Sequence, residues 1–238
     1  MTVLSSSSLE PSYGFHRTFT TVLTPETPNW VAEVEEARCS IHLYYKFPVL
    51  VFVDPYELAN YNHIYTFEHY GNANLELPVA AMESEGTSVL LTLAKPNSTA
   101  DSQAFRVQVP LHIRYGKPSY SNETHSTAEI EWPQLFILCP SSVSLAKVLT
   151  LDLDPQNLLP PREFASLFEG LTGYVPRNFD PDAARELEVV TVPVGQYADV
   201  FQVKFGTAMI ILAMFVYIGF IMYRISRGLV NRAPVKED

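Results

Sequence analysis

The side chains able to do acid–base or metal chemistry are spread thinly along this chain. Six histidines occur, His16, His42, His63, His69, His112 and His125. A metal site needs several donors brought to bonding distance of one ion. Within local sequence only His63, Glu68 and His69 approach such a spacing. On a strand His63 and His69 share a face but stand about 20 Å apart at roughly 3.3 Å per residue. One ion cannot bridge that gap, so the sequence reads as binding no metal. Asp54, Glu57 and Glu68 are the carboxylates that could act as a general acid and base. In VFVDPYELANY, however, Asp54-Pro55 reads as a turn or helix cap with proline in the first turn. Glu57 then stands in the capping-box position. No Gly-x-Ser-x-Gly, P-loop, GxGxxG or HExxH motif occurs. No catalytic residue and no cofactor are expected.

The elements that must position these residues divide the chain sharply. Phe205 to Tyr223, FGTAMIILAMFVYIGFIMY, holds no charge and no proline. Roughly 20 such residues cross the hydrocarbon core as a helix, so a transmembrane helix is expected over 204–223. Arg224, Arg227, Arg232 and Lys236 follow it, and only Lys204 immediately precedes it. Clustered cations stay cytoplasmic. Residues 224–238 therefore read as a cytoplasmic tail and the large N-terminal part as luminal or extracellular. The first 23 residues show neither a basic n-region nor an apolar h-region. A luminal body then needs a signal upstream, as in a longer protein. The alternative is a tail-anchored chain with a cytosolic body, which runs against the charge bias.

A luminal compartment gives the remaining features meaning. Asn97-Ser98-Thr99 and Asn122-Glu123-Thr124 fit the N-glycosylation acceptor pattern, which also arises by chance. Cys39 and Cys139 are the two cysteines. In an oxidising lumen one pair is expected as a disulfide, closing a loop of about 100 residues and contributing on the order of 4 kcal/mol. Two buried free thiols are the alternative. The net charge of −10, without a basic patch, argues against a nucleic-acid partner.

Residues 1–13 are expected to be disordered and 14–200 to form one β-rich domain. Short runs rich in Val, Ile, Thr, Tyr and Phe predict strands over His16–Leu23, Trp30–Glu35, Cys39–Tyr45, His63–His69, Ser88–Leu93, Phe105–Tyr115 and Ala128–Leu138. Leu145–Leu151 and Glu188–Val194 could add two more. The alternation through Val107, Val109, Leu111, Ile113 and Tyr115 suggests one buried and one wet face. An antiparallel β-sandwich or open barrel follows. Residues 140–181 are rich in proline and aspartate. Within them Phe164, Leu167, Phe168 and Leu171 keep helical spacing, behind Pro160-Pro161 and ahead of Gly170 or Gly173. A short helix covering one sheet edge is expected, with a membrane-facing apolar stripe as the alternative.

Several blocks together resemble the PIG-X family. They are Gly14-Phe15-His16-Arg17, the VDPYEL block from Val53 to Leu58, Phe67-Glu68, the VPLHIRY block from Val109 to Tyr115, Pro133 to Pro140, and Val192-Pro193-Val194-Gly195 before the span. Asp54, Pro55, Tyr56 and Glu57 belong to the second block, and His112, Arg114 and Tyr115 to the fourth. The resemblance implies a non-catalytic subunit of the endoplasmic reticulum that stabilises the mannosyltransferase PIG-M. Together the two would form GPI mannosyltransferase I, which adds the first mannose to the GPI-anchor precursor from dolichol-phosphate-mannose. The implied partners are that catalytic subunit and the lipid of the endoplasmic reticulum membrane. The competing expectation, from composition and topology alone, is a type I cell-surface β-sandwich adhesion or receptor protein. A luminal hydrolase or transferase acting through Asp54, Glu57, Glu68 or His112 is a third.

Overall fold

The computed structural model describes residues 3–25, 30–72, 74, 77, 86–94, 104–121, 123–144, 147, 151, 153, 161–175 and 187–230. These fall into two compact units. The first runs to Lys117 and resumes from His125 to Pro193; the second joins Pro118–Thr124 to the chain from Val194.

The first unit is an antiparallel β-sandwich. One sheet has the order β1 (Val3–Glu10), β2 (His16–Pro25), β7 (Phe105–Ile113), β4 (Val51–Phe52). The other has the order β10 (Leu171–Tyr174), β9 (Gln134–Pro140), β3 (Ser40–Phe47), β6 (Thr87–Leu93), β5 (Tyr65–Tyr70). β8 (His125–Glu131) and β11 (Leu187–Pro193) form a separate pair. Period-two burial builds the core. Phe19 and Leu23 of β2 and Val107, Val109 and Leu111 of β7 meet Leu43, Tyr45, Val89, Leu91 and Ile137 of the second sheet. Phe19 packs edge-on against Tyr45 with ring centroids 5.9 Å apart. Tyr45 Oη donates across the layer to Thr21 Oγ1 at 3.0 Å, and Tyr65 Oη donates to the Gln108 carbonyl at 2.9 Å.

The five-stranded sheet is buried on both faces. Leu90, Phe136 and Leu138 point away from the main core into a second cluster with Phe164 and Phe168. Those two phenylalanines stand on a 3-10 segment, Arg162–Phe168, which Gly170 at φ 73° follows. Tyr44 Oη donates to Glu163 Oε1 at 2.7 Å and fixes the segment. It covers the outer face of the sheet rather than an edge, and its winding is 3-10 rather than α, which leaves Leu167 exposed. Cys39 and Cys139 are disulfide-bonded, joining the start of β3 to β9. Both sequon asparagines, Asn97 and Asn122, lie outside the described residues.

Three expectations are corrected. The N-terminal segment is a strand, not disorder, because β1 pairs with β2 from Val3↔Pro25 to Glu10↔Thr18. The serines there satisfy their backbone through the ladder, and Ser7 Oγ also meets Thr21 Oγ1 at 3.1 Å. Trp30–Glu36 is helix α1 rather than a strand. Its buried pair Trp30 and Val34 is four apart, on one helical face. Arg38, at φ 58°, ends it through two bonds, Cys39 N–H to the Val34 carbonyl and Arg38 N–H to the Glu35 carbonyl. The predicted strand Ala128–Leu138 is two strands, β8 and β9. Trp132-Pro133 breaks it, since proline offers no ladder donor, and the chain changes partner there from β11 to β3. The Leu145–Leu151 stretch lies largely outside the described residues.

In the second unit Ser119 bridges Gln196, and Tyr120 stacks on Tyr197 with centroids 3.9 Å apart. A 3-10 turn, Tyr197–Asp199, leads into a long helix, α3 (Val200–Val230). Its 31 residues reach about 46 Å at 1.5 Å per residue, against about 30 Å of hydrocarbon. It is long and apolar enough to cross a membrane, with its large side chains exposed. Arg227 lies over the Tyr223 ring at 4.9 Å, placing a cation and an amphipathic ring at the same end of the helix.

Two predictions follow from this packing. Replacing both cysteines by serine lowers the unfolding free energy by about 2–5 kcal/mol, read from denaturant unfolding of the wild type and variant in the same detergent. His42 is buried between Ser40 Oγ at 2.7 Å and Thr92 Oγ1 at 3.1 Å, stacked on Phe136. Burial depresses its pKa from 6.5 to about 4. Between those values the unfolded chain takes up a proton that the folded chain refuses, so stability falls as acid is added across that window. The loss for this residue approaches about 3 kcal/mol. His42→Gln flattens the acid limb of the stability profile; an unchanged limb would refute the assignment.

Candidate functional site

The outward face of the four-stranded sheet gathers residues that are distant in sequence. His16 opens β2 and is the register partner of His112 near the end of β7; Phe52 of β4 is the partner of His112 on the other side. Registered neighbours project on the same face, and the three rings stack across the strands. Centroids are 4.7 Å apart for His16 and His112, and 5.1 Å for His112 and Phe52. The Arg114 guanidinium lies over the Phe52 ring at 4.3 Å, continuing the row. Its Nη1 donates to the carbonyls of Asn74 and Leu77, both at 2.8 Å.

Helix α2 (Pro55–Leu58) brings the carboxylate. Asp54 caps it by accepting the Tyr56 N–H at 2.9 Å, Pro55 occupies the first turn and Leu58 is fully buried. The turn is therefore pinned at both ends. It aims Glu57 at the histidines rather than back into a capping box. Glu57 Oε1 lies 3.1 Å from His16 Nε2, and Oε2 lies 2.8 Å from His112 Nε2. An ionised carboxylate only accepts, so each Nε2 carries the donated hydrogen. The result is a two-pronged clamp between α2 and the β2–β7 ladder. Three donor atoms, one each from His16, Glu57 and His112, lie within 4.8 Å of one another.

Aromatics rim the clamp. Phe15 packs tilted against Tyr115 with ring centroids 4.5 Å apart, and Ile113 N–H donates to the Phe15 carbonyl at 2.7 Å. Tyr115 is 67% exposed and Tyr56 87%.

The structure thus joins Glu57, His112 and Arg114 of the expected residues, keeps Asp54 and Pro55 in a capping role, and leaves Tyr56 and Tyr115 facing solvent. Glu68 sits in β5 of the other sheet and takes no part. His63 precedes β5 and His69 lies within it, and neither belongs to the clamp. Sequence reasoning missed the His16–Glu57–His112 group. Its members are 41 and 55 residues apart, so no local spacing reveals it. Only the β2–β7 register would have done so. Three of the blocks that carry the resemblance, around His16, Glu57 and His112, meet at this one place.

The class of protein so defined is a disulfide-bonded β-sandwich followed by one candidate membrane-spanning helix. The chain belongs to the PIG-X/PBN1 family, whose model matches residues 12–223. It is 26% identical over 245 residues to "Protein pbn1" of Emericella nidulans, covering 96% of this chain and 44% of that protein. It is 28% identical over 220 residues to the protein of the same name in Aspergillus oryzae, covering 87% and 39%. The Neurospora crassa protein pbn1 is 30% identical over 141 residues, covering 57% and 26%. The chain spans less than half the length of these relatives. No solved structure matches the chain significantly.

Glu57→Ala removes both clamp hydrogen bonds, the one to His16 solvent-exposed and the one to His112 part-buried, and unties α2. It lowers stability by about 1–3 kcal/mol, more than Asp54→Ala, at about 1 kcal/mol for a lost cap. Equilibrium denaturation of the two variants checks the order, and equal or inverted effects would show that the clamp is not structural.

Proposed function

We propose that this chain is the non-catalytic accessory subunit of GPI mannosyltransferase I. It stabilises a PIG-M-type catalytic subunit that adds the first mannose to the GPI-anchor precursor at the endoplasmic reticulum membrane. The observation that carries the reading is family membership across residues 12–223. The clamp supports it, because its carboxylate is committed to holding α2 on the sheet and not to a reacting group. The positive flank after the helix, Arg224 and Arg227 onward, supports a luminal body and a cytoplasmic tail.

The mode of action is binding. A β-domain that recognises only the folded catalytic subunit stabilises it by mass action. The exposed rim of Phe15, Tyr56 and Tyr115 offers the aromatic anchors that dominate protein interfaces. Endoplasmic reticulum residence keeps any glycan at Asn97 or Asn122 sensitive to endoglycosidase H.

The test is rescue in PIG-X-deficient cells, with this chain placed behind an added signal peptide and the catalytic subunit co-expressed from the same source. Surface GPI-anchored protein and the steady-state level of the catalytic subunit both recover. Tyr56→Ala lowers that level several-fold while the fusion itself remains folded. A fusion present in the endoplasmic reticulum beside its cognate catalytic subunit that restores neither readout would sink the assignment.

A further inference from the structure

We propose that His16, Glu57 and His112 form a binding site for a divalent transition-metal ion of the zinc type. The inference is independent of the function proposed above. Two imidazole nitrogens and one carboxylate oxygen converge within 4.8 Å from three separate segments. This is the donor set of open zinc sites, three protein ligands with a fourth position left for water. Zinc takes nitrogen and oxygen donors at about 2.0–2.2 Å, so donors around a tetrahedral ion stand about 3.3 Å apart. The present 3.1 and 2.8 Å separations run to the two different oxygens of Glu57, so the carboxylate already faces both imidazoles. Admitting the ion needs each histidine to move its hydrogen from Nε2 to Nδ1 and the two stacked rings to turn their Nε2 atoms toward one point beside the carboxylate.

The scaffold holds the backbone that carries the three donors in place. His16 and His112 are fixed by ladder pairing, and His112 is held between the His16 and Phe52 rings. Glu57 rides on a capped turn anchored by Leu58. Imidazole donors select zinc-type ions over calcium and magnesium, which demand oxygen ligands. Ligand access is open, since the His16 side chain is 59% exposed while those of His112 and Glu57 are 28% and 26%. Arg114 lies over Phe52 on the same row of rings. Its charge is engaged by two carbonyls and the Phe52 face. Coordination would replace two hydrogen bonds by metal ties and lock α2 to the sheet more firmly, so the ion would act as a structural brace with one open position.

The experiment uses the full chain in detergent after chelator treatment, titrated with Zn²⁺ by calorimetry and with Co²⁺ by visible absorption. One equivalent binds, the melting temperature rises, and Co²⁺ gives the intense absorption of a four-coordinate nitrogen–oxygen site. Glu57→Gln and His112→Gln each weaken binding at least tenfold, whereas His63→Gln, at an exposed histidine outside the cluster, leaves it unchanged. The Co²⁺ spectrum of the wild-type chain keeps the test valid if a variant misfolds. Absence of stoichiometric binding, a six-coordinate Co²⁺ spectrum, or binding lost with His63 rather than with His112 would each overturn the site.

Discussion

Everything else in the sandwich domain depends on the register of β2 against β7. The ladder runs from His16↔His112 to Leu23↔Phe105. Because side chains alternate with period two, a slip of one residue would expel Phe19, Leu23, Val107, Val109 and Leu111 from the core. Each such burial is worth about 1.5–3 kcal/mol, whereas each hydrogen bond of the clamp contributes about 1 kcal/mol. The core therefore sets the register, and the register places the two histidines side by side. Pro110 fits this ladder because β4 reaches β7 only at His112 and Ile113. Among the described residues no neighbour asks for the hydrogen bond that proline cannot donate.

The second constraint runs between the sheets. Tyr45 and Tyr65 are fully buried, and burial raises both phenols well above their ordinary range. Each phenol keeps its hydrogen and donates it to the opposite sheet, Tyr45 to Thr21 and Tyr65 to Gln108. Apolar packing alone tolerates sliding of one layer over the other. Two buried donors, each costing about 1–3 kcal/mol if left unpaired, do not. They fix the sheets in the arrangement that also lets β4 and α2 wrap around the end of β7.

Much of this order was legible from the residues. Runs rich in Val, Ile, Thr, Tyr and Phe placed β2, β3, β6 and β7 to within a few residues, and the uncharged run from Phe205 to Tyr223 located the long helix. The misreadings have physical causes. Ser5 to Ser8 carries no apolar pattern, so its strand exists only because β2 presents an unpaired edge. Trp30–Glu36 mixes apolar and acidic residues in a pattern too short to separate period two from 3.6, and its stop signal is an arginine at positive φ rather than a glycine. Trp132-Pro133 sits inside an apolar run whose two halves join different partners. The candidate site was half visible. Asp54 and Pro55 declare the cap locally, but Glu57 finds its true partners only across the sheet.

The same geometry links the clamp to the surface it presents. Phe15 precedes His16, Tyr56 precedes Glu57, and Tyr115 follows Arg114, so each rim aromatic is the chain neighbour of a residue held in the row of rings or in the clamp. Their positions are inherited from buried contacts to which the exposed aromatics themselves contribute little. Tyr56 and Tyr115 lose little water on folding and so add little to the stability of the domain. A perturbation of Glu57 consequently moves the rim without touching it, and under the proposed partner-binding role a local loosening of α2 would weaken the partner's grip. In such an arrangement, stability and recognition are separable only at the rim. A variant that changes Tyr56 tests binding, while one that changes Glu57 tests the frame on which binding depends.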